Sequence, residues 1–291
     1  MLRFTPPTKP TRFDADMLPH RNAIEAIVKN GKDPASADFK DAWADYKTVL
    51  AEHQHGKCGF CEAFVNTVSA GDVEHYAPKS EVGELNDSAP SSWGEEEPHS
   101  NRVLRKREVH RACTRGYWWR AYAWDNYLFA CGNCNQKWKR TLFPLAEGPR
   151  TSPPAPGAPE TPLLLHPFGT IDPVEHLRYN DFGAIEAAPN SAHGAATIRT
   201  CYLDRGSLTR ARAADASAAF ELTRRLRVAR SQLNSAHGDT ARVVLMETLG
   251  DLLRLGDERH QFAGMVRSIA RQRTGCSWEQ LVALAARLRS P

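Results

Sequence analysis

No apolar run in the 291 residues approaches the roughly 20 that a membrane span requires. The opening Met1-Leu2-Arg3-Phe4-Thr5-Pro6-Pro7 also lacks the apolar core of a signal peptide. Excess charge of one sign is scarce as well, because 38 basic residues against 34 acidic ones leave a net charge of only +4, too little to imply nucleic-acid binding by itself. Lysine stops altogether after Lys139 while arginine continues, a compositional bias that carries no functional meaning. There is no internal repeat. Hydrophobic residues at 41% and charged residues at 25% are ordinary for a soluble globular protein, with length enough for one large domain or two modest ones.

Cysteine is sparse but patterned. Cys58-Gly59-Phe60-Cys61 and Cys131-Gly132-Asn133-Cys134 are two Cys-x-x-Cys pairs, and a two-residue gap lets both sulfurs of a pair turn toward one ion. Two such pairs complete a closed tetrahedral zinc site, of the structural kind that holds together a core too small to fold alone. Cys113, Cys201 and Cys276 have no partner spacing and are expected to be small buried hydrophobes. Reduced, metal-spaced cysteines and no export signal lead to the expectation of a cytoplasmic protein without a membrane partner.

Periodicity divides the rest. Phe39, Trp43, Tyr46 and Leu50 recur at helical spacing over 36–52 and predict a helix with one buried face. Phe64-Val65-Asn66-Thr67-Val68 and Asp72-Val73-Glu74-His75-Tyr76 predict a hairpin that ends on Glu74-His75. From Gly83 to about Arg115 the composition turns polar, which predicts a long, partly disordered loop. Seven basic residues lie between Arg102 and Arg120 against only Glu108, and Lys137, Lys139 and Arg140 follow the second cysteine pair, a distribution able to track phosphates. The aromatic run Tyr117 to Trp124 is expected to be core. The proline-rich stretch 147–161 is expected to be a linker, followed by short strands at Leu163-Leu164-Leu165 and Leu177-Arg178-Tyr179, the second ended by a turn at Asn180-Asp181-Phe182-Gly183. Beyond Ala195 the pattern is helical, and Ser277-Trp278-Glu279-Gln280 is a capping box opening the last helix.

Several pieces carry a family resemblance: Cys58-Gly59-Phe60-Cys61-Glu62, Val73-Glu74-His75-Tyr76-Ala77-Pro78-Lys79, Tyr117-Trp118-Trp119, Trp124-Asp125-Asn126-Tyr127-Leu128, Cys131-Gly132-Asn133-Cys134-Asn135-Gln136-Lys137 and Phe143-Pro144-Leu145. In order and spacing they resemble the HNH endonucleases that accompany an ATPase in Septu-type and retron anti-phage systems. The resemblance covers about 40–146 and continues more loosely through Leu164-Leu165-His166-Pro167, Asp172 to His176 and Leu203-Asp204-Arg205. It implies an α+β, largely helical protein with a zinc-braced ββα-metal nuclease core. The expected organisation is an N-terminal helical segment at 1–50, the nuclease domain at 51–146 with a loop insertion at 83–115, the linker at 147–161, and a helical C-terminal region at 162–291 for partner docking.

The resemblance also implies roles. His75 is the general base, Asn126 orients it, and Asn135 is the final motif residue, with Glu74 and Asn135 as oxygen ligands to a catalytic Mg²⁺ or Mn²⁺ distinct from the zinc of Cys58, Cys61, Cys131 and Cys134. Glu74 stands where the family more often has Asp, and Asn135 where it often has His. Chemistry asks for the same types: phosphodiester hydrolysis needs a base for water, a metal for developing charge and a fixed geometry. A histidine with an ordinary pKa near 6.5 accepts a proton at about neutral pH. Lys79, Lys137, Lys139 and Arg140 are candidate phosphate contacts. The implied partners are a DNA substrate and an ATPase of the ABC/SMC-like type. Two other readings use the same residues: a zinc-ribbon module that binds nucleic acid or protein without cutting, and an RNA or tRNA nuclease.

Overall fold

The computed structural model describes residues 1–65, 70–85, 108–113, 115–148, 150 and 152–289. Helix α1 (Phe13–Lys29) buries Phe13, Met17 and Ile24. Phe13 is the hub of an aromatic cluster, with ring centroids 5.0 Å from Tyr46, 5.2 Å from Trp124 and 5.9 Å from Tyr127. The helix expected over 36–52 is three shorter pieces: 3₁₀ turns at Ser36–Asp38 and Ala42–Tyr46, then α2 (Lys47–His53). Local bonding explains the first break, because the Asp38 carboxylate accepts the Ala35 backbone N–H at 2.7 Å and competes with helical pairing. The apolar face survives, with Phe39, Tyr46 and Leu50 buried.

Strand β1 (Asp72–His75) finds a different partner from the hairpin expected between 64–68 and 72–76. Two short antiparallel pairs follow it in the chain: β2 (Val82–Leu85) with β3 (Glu108–Cys113), and later β5 (Leu177–Tyr179) with β6 (Ile185–Ala187). β1 itself pairs antiparallel with β4 (Tyr127–Ala130), in the register Asp72 to Ala130, Val73 to Phe129, Glu74 to Leu128 and His75 to Tyr127. Phe64 instead bridges Lys57 within the first cysteine loop, and 66–69 lie outside the described residues. All four β4 residues are buried, so this strand offers more apolar contact than a neighbouring hairpin arm would. The turn before β1 is fitted to it: at Gly71, where φ is +60°, a Cβ would come within 2.4 Å of the Phe129 ring.

The ends of the polar stretch expected as loop are therefore strand. Gly83 N–H donates to Thr141 O at 2.9 Å and Val82 is fully buried, so tertiary packing overrides composition there. Residues 86–107 and 114, which include Arg102, Arg105, Lys106, Arg107 and the acidic run, lie outside the described residues. A π-helical turn (Asn133–Lys139) follows β4, closed by Arg140 N–H donating to Asn135 O at 2.9 Å. The proline-rich segment 147–161 is pinned at its base, where Ala146 N–H meets Thr161 O and Leu163 N–H meets Pro144 O, each at 2.9 Å.

Beyond it come a one-turn helix α3 (Pro173–His176), then β5 (Leu177–Tyr179) and β6 (Ile185–Ala187) joined through the expected turn. No strand forms at Leu163-Leu164-Leu165; Leu164 and Leu165 are buried irregular backbone. Helices α4 (Ala192–Cys201), α5 (Gly206–Gln232), α6 (Gly238–Leu255), α7 (Ala263–Thr274) and α8 (Trp278–Arg289) complete the chain. The capping box opening α8 is formed, with Ser277 N–H donating to Gln280 Oε1 at 2.7 Å and Gln280 N–H to Ser277 Oγ at 3.3 Å. One hydrophobic cluster runs from Phe13 through Phe129 and Leu165 to Leu281, so residues on both sides of 147–161 share it. Among the described residues no helix is long and apolar enough to cross a membrane.

Buried Gln54 ties α2 to β4. Its Nε2 donates to Phe129 O at 2.8 Å and Lys57 O at 3.0 Å, and its Oε1 accepts Phe129 N–H at 2.8 Å. Gln54→Leu leaves Phe129 N–H and Lys57 O without this partner while Phe129 O keeps Gly59 N–H, and each unpaired group costs about 1–3 kcal/mol when buried. The variant is expected to lose at least ~2 kcal/mol in urea unfolding; a loss below ~0.5 kcal/mol would contradict this role.

Candidate metal centre and histidine site

The two cysteine loops are shaped by backbone bonds before any metal is considered. Cys58 N–H donates to Ala63 O at 3.0 Å and Glu62 N–H to Cys58 O at 2.9 Å, with Glu62 in the left-handed region at φ +62°. Gly59 N–H reaches Phe129 O at 2.9 Å, and a Cβ on Gly59 would lie 2.9 Å from Leu128 Cδ1, so glycine lets the loop lie close on β4 without displacing that side chain. In the second loop Cys134 N–H points at Cys131 Sγ, 3.4 Å away. The sulfurs of Cys58, Cys61, Cys131 and Cys134 all lie within 4.8 Å of one another, and Cys61 and Cys131 are 3.9 Å apart. Zinc–sulfur bonds of about 2.3 Å put tetrahedral sulfurs about 3.8 Å apart, so these four could hold a zinc ion.

The electrostatics fit a cation. Burial pushes the Cys58 thiol well up, whereas hydrogen bonds from Cys131, then Cys134 and Cys58, hold Cys61 well below its usual range. Four clustered sulfurs, three buried and Cys131 half-buried, cannot all ionise unless positive charge is supplied. Arg205 supplies part of it: its Nη2 lies 3.8 Å from Cys134 Sγ, and its Nη1 donates to Tyr202 O at 2.9 Å. Burial opposes the charge on Arg205, but Cys134, Cys61 and Cys131 outweigh it and raise its pKa.

The Glu74-His75 step sits on the strand this clamp holds. Alternation along β1 sends Asp72 and Glu74 to one face and Val73 and His75 to the other. His75 is 6% exposed, with Trp43 edge-on at 4.6 Å and Tyr127 at 5.1 Å. Its Nε2 lies 2.9 Å from Ala121 O, an acceptor only, so that nitrogen carries the proton and Nδ1 is the basic one. Burial first, then Lys79, lower the His75 pKa well below 6.5, partly offset by the Ala121 bond. The ring is neutral across the physiological range.

The hydrogen bonds of the Asn126 amide go to backbone, not to the ring. Its Oδ1 accepts Ala77 N–H at 2.8 Å, and its Nδ2 donates to Ala77 O at 3.0 Å and Arg120 O at 2.9 Å. It thus fastens the backbone just after His75 to the residue just before Ala121. Trp43, Tyr127 and the Ala121 carbonyl are partners that no sequence motif marks.

On the other face, the buried Glu74 Oε1 lies 2.5 Å from Lys139 Nζ, which also donates to His75 O at 2.9 Å. Burial raises the Glu74 pKa, opposed by Lys139 and then Lys79. Lys139 is fully buried, so its ammonium serves Glu74 and the His75 carbonyl, where an exposed phosphate contact had been expected. Asn135 Nδ2 donates to Asp72 Oδ2 at 3.2 Å, and Gln136 Nε2 to the same oxygen at 2.8 Å. Asp72, two residues before Glu74, is an acid that the sequence reading did not single out. Lys79 is half-buried, its Nζ 4.6 Å from the Trp43 ring centroid, and its charge acts on both Glu74 and His75. Lys137 is exposed and Arg140 half-buried, both at the π-helical turn. Asp72, Glu74 and Asn135 are hard oxygen donors of the kind Mg²⁺ or Mn²⁺ takes, and Glu74 Oε1 already meets the Lys139 ammonium. The donor chemistry fits such an ion.

A four-thiol centre that braces a small sheet carrying a buried histidine defines a cysteine-clamped α+β protein. The chain is similar to the Septu protein PtuB of Bacillus mycoides (strain KBAB4), 32% identical over 188 residues, 64% of this chain and 55% of that protein. This supports membership of the Septu family. The chain spans about half the length of that relative. No protein-family model matches the chain, and no solved structure matches it.

Arg205→Met keeps the bulk but removes the charge beside the sulfurs. Zinc affinity is expected to fall about 10- to 100-fold in competition with a chromophoric chelator, as for other partners of metal ligands. Unchanged affinity would contradict a role for Arg205 at the centre.

Proposed function

We infer that this chain is a metal-dependent endonuclease of the HNH kind, hydrolysing DNA phosphodiester bonds as the effector of an anti-phage defence system with a partner ATPase. The observation that carries the reading is the state of His75, a buried neutral imidazole whose proton is committed to Ala121 O. Nδ1 is then free to take a proton from an attacking water. Similarity to Septu protein PtuB supports the defence role.

Each neighbour has a task in this reading. Asn126 is a positioning residue, holding Ala77 and Arg120 so that His75 and its carbonyl partner stay in register. Lys79 attracts the phosphate and helps keep His75 unprotonated. Lys137 and Arg140 extend the positive surface along the π-helical turn. Glu74 and Asn135, with Asp72 behind Asn135, would hold Mg²⁺ or Mn²⁺, which when bound neutralises charge developing on the phosphoryl and leaving oxygens. Lys139 balances Glu74 and anchors the backbone of His75. The Glu74–Lys139 ion pair favours a second reading, a nucleic-acid-binding module that does not cut, because a carboxylate already neutralised by an ammonium attracts a metal less.

Plasmid cleavage with Mg²⁺ or Mn²⁺ separates the two. The wild type is expected to nick or linearise, and His75→Ala, with zinc content and melting unchanged, to be slower by about 10²–10⁴, the usual contribution of a general base. Because the folded pKa of His75 is depressed, the base stays unprotonated as pH falls through 6.5, so the His75-dependent acid limb of the rate profile is expected below that value. Equal cutting by the variant would remove His75 from the chemistry. No cutting by either chain, with the ATPase present, would leave the binding module.

A further inference from the structure

A cavity of about 300 Å³ opens beside the histidine site, at the lower end of the roughly 300–1,000 Å³ typical of ligand pockets. Its walls are aromatic: Tyr76, Tyr117, Trp119 and Phe143. Tyr76 and Tyr117 each stand edge-on to Phe143 at 5.1 Å, and Trp119 lies 5.5 Å from Tyr117. Two further lining residues, Arg120 and His166, each bury a side-chain nitrogen with no hydrogen-bond partner among the described residues, Arg120 Nε and His166 Nε2. His166 Nδ1 accepts Phe168 N–H at 2.9 Å, so the proton of the neutral ring is on Nε2, which faces the Asp125 carbonyl without reaching hydrogen-bond geometry. Burial, then Arg120, hold the His166 pKa down to about 4 and keep that tautomer neutral. Both orphan groups are therefore N–H donors.

This is a site for something flat, with acceptors on its edge. A phosphate fits poorly: Arg120 is already paired with Asp125 at 3.1 Å, and the neighbouring guanidinium, Arg150, is taken by the lining carboxylate of Glu160 at 3.6 Å. A nucleobase fits on both counts, since its face stacks on aromatic rings and its edge presents carbonyl oxygens and ring nitrogens. The location agrees. Tyr76 and Ala77 directly follow His75, and Arg120 precedes the residue whose carbonyl holds the His75 ring. A base seated here would belong to a nucleotide close to the phosphate that His75 addresses.

We propose that the cavity lined by Tyr76, Tyr117, Trp119, Phe143, Arg120 and His166 receives one unstacked nucleobase of the bound strand. This rests on the nuclease reading only in taking nucleic acid as the ligand. A base inside a duplex stack cannot enter, so the cavity selects single-stranded, mismatched or locally opened substrate. The occupant can be DNA or RNA, because the base edges used are common to both.

The test uses the full chain carrying His75→Ala, so that binding is read without cutting, with fluorescently labelled single-stranded DNA, single-stranded RNA of the same sequence, and fully paired DNA. Two further substitutions are made on it: Trp119→Ala removes a stacking wall, and Ala158→Trp obstructs the mouth from an exposed loop position, away from the core. Both are expected to weaken single-strand binding by roughly 5- to 150-fold, the stacking contribution of one base, with duplex affinity changed less than about twofold. The polymer that shows the loss, DNA or RNA, is the one recognised. Single-strand affinity unchanged in both variants, equal losses on single strand and duplex, or no binding by the parent would each overturn the proposal. Cleavage by the wild type is scored separately. Cutting with unaltered variant binding removes the base site alone, and selective binding without cutting removes the nuclease reading alone.

Discussion

The geometry around Glu74-His75 depends on four sulfur atoms meeting. Cys61 and Cys131 are 70 residues apart in sequence and 3.9 Å apart in space. Between them lie β1, His75, the 117–126 turn and β4, and only four residue pairs join the two strands. An isolated two-stranded sheet of that size is marginal in water. Metal binding to such a centre contributes apparent energies of roughly 10–16 kcal/mol in small zinc domains, enough to close a loop of this length. The outer side of the clamp is fastened to the C-terminal helices. Glu62, next to Cys61, accepts Gly264 N–H at 3.0 Å and pairs with the Met1 amino group at 2.9 Å, while the Lys57 ammonium donates to His260 O at 2.9 Å. The helical region is thus a backing for the four-cysteine centre.

Fixing the sheet also fixes the electrostatics around Glu74-His75. On one face a histidine is buried against Trp43 and Tyr127 with its proton committed; on the other a carboxylate is buried against an ammonium. Neither arrangement is self-supporting, since a buried polar group is costly unless it is paired. The Ala121 carbonyl and Lys139 provide the pairing. Asn126 ties the backbone just after the histidine to Arg120, next to that carbonyl, and Lys139 joins the Glu74 carboxylate to the His75 carbonyl. In the proposed nuclease, a base whose pKa is depressed by burial and a nearby lysine gives up basicity for readiness at neutral pH.

Spacing made much of this legible. The cysteine pairs state their own geometry, since Cys-x-x-Cys turns admit few alternatives, and the capping box at Ser277 and the turn at Asn180 are local signals with local causes. What depended on distant partners was not legible. Alternation identified β1 as a strand, but nothing in Val65 to Tyr76 says that its neighbour is Tyr127–Ala130. The strand character of Val82–Leu85 was hidden in polar composition because its pairing is tertiary. Lys139 looked like any exposed basic residue, and only the fold reveals that Glu74 claims it. Arg205 was visible as part of a short motif, but its place beside Cys134 follows from helix packing that no local pattern encodes.

The account predicts that the cysteine clamp holds His75 as a neutral base with its proton on Nε2. Nitrogen-15 NMR of the imidazoles tests this most directly, with the His75 signals assigned by comparison with His75→Ala. In the zinc-loaded protein, Nδ1 is expected to remain unprotonated and Nε2 protonated as pH falls from 8 through 6.5, with that signature lost when a chelator removes the metal. A zinc-loaded His75 titrating normally near 6.5, or one unaffected by stripping the metal, would contradict it.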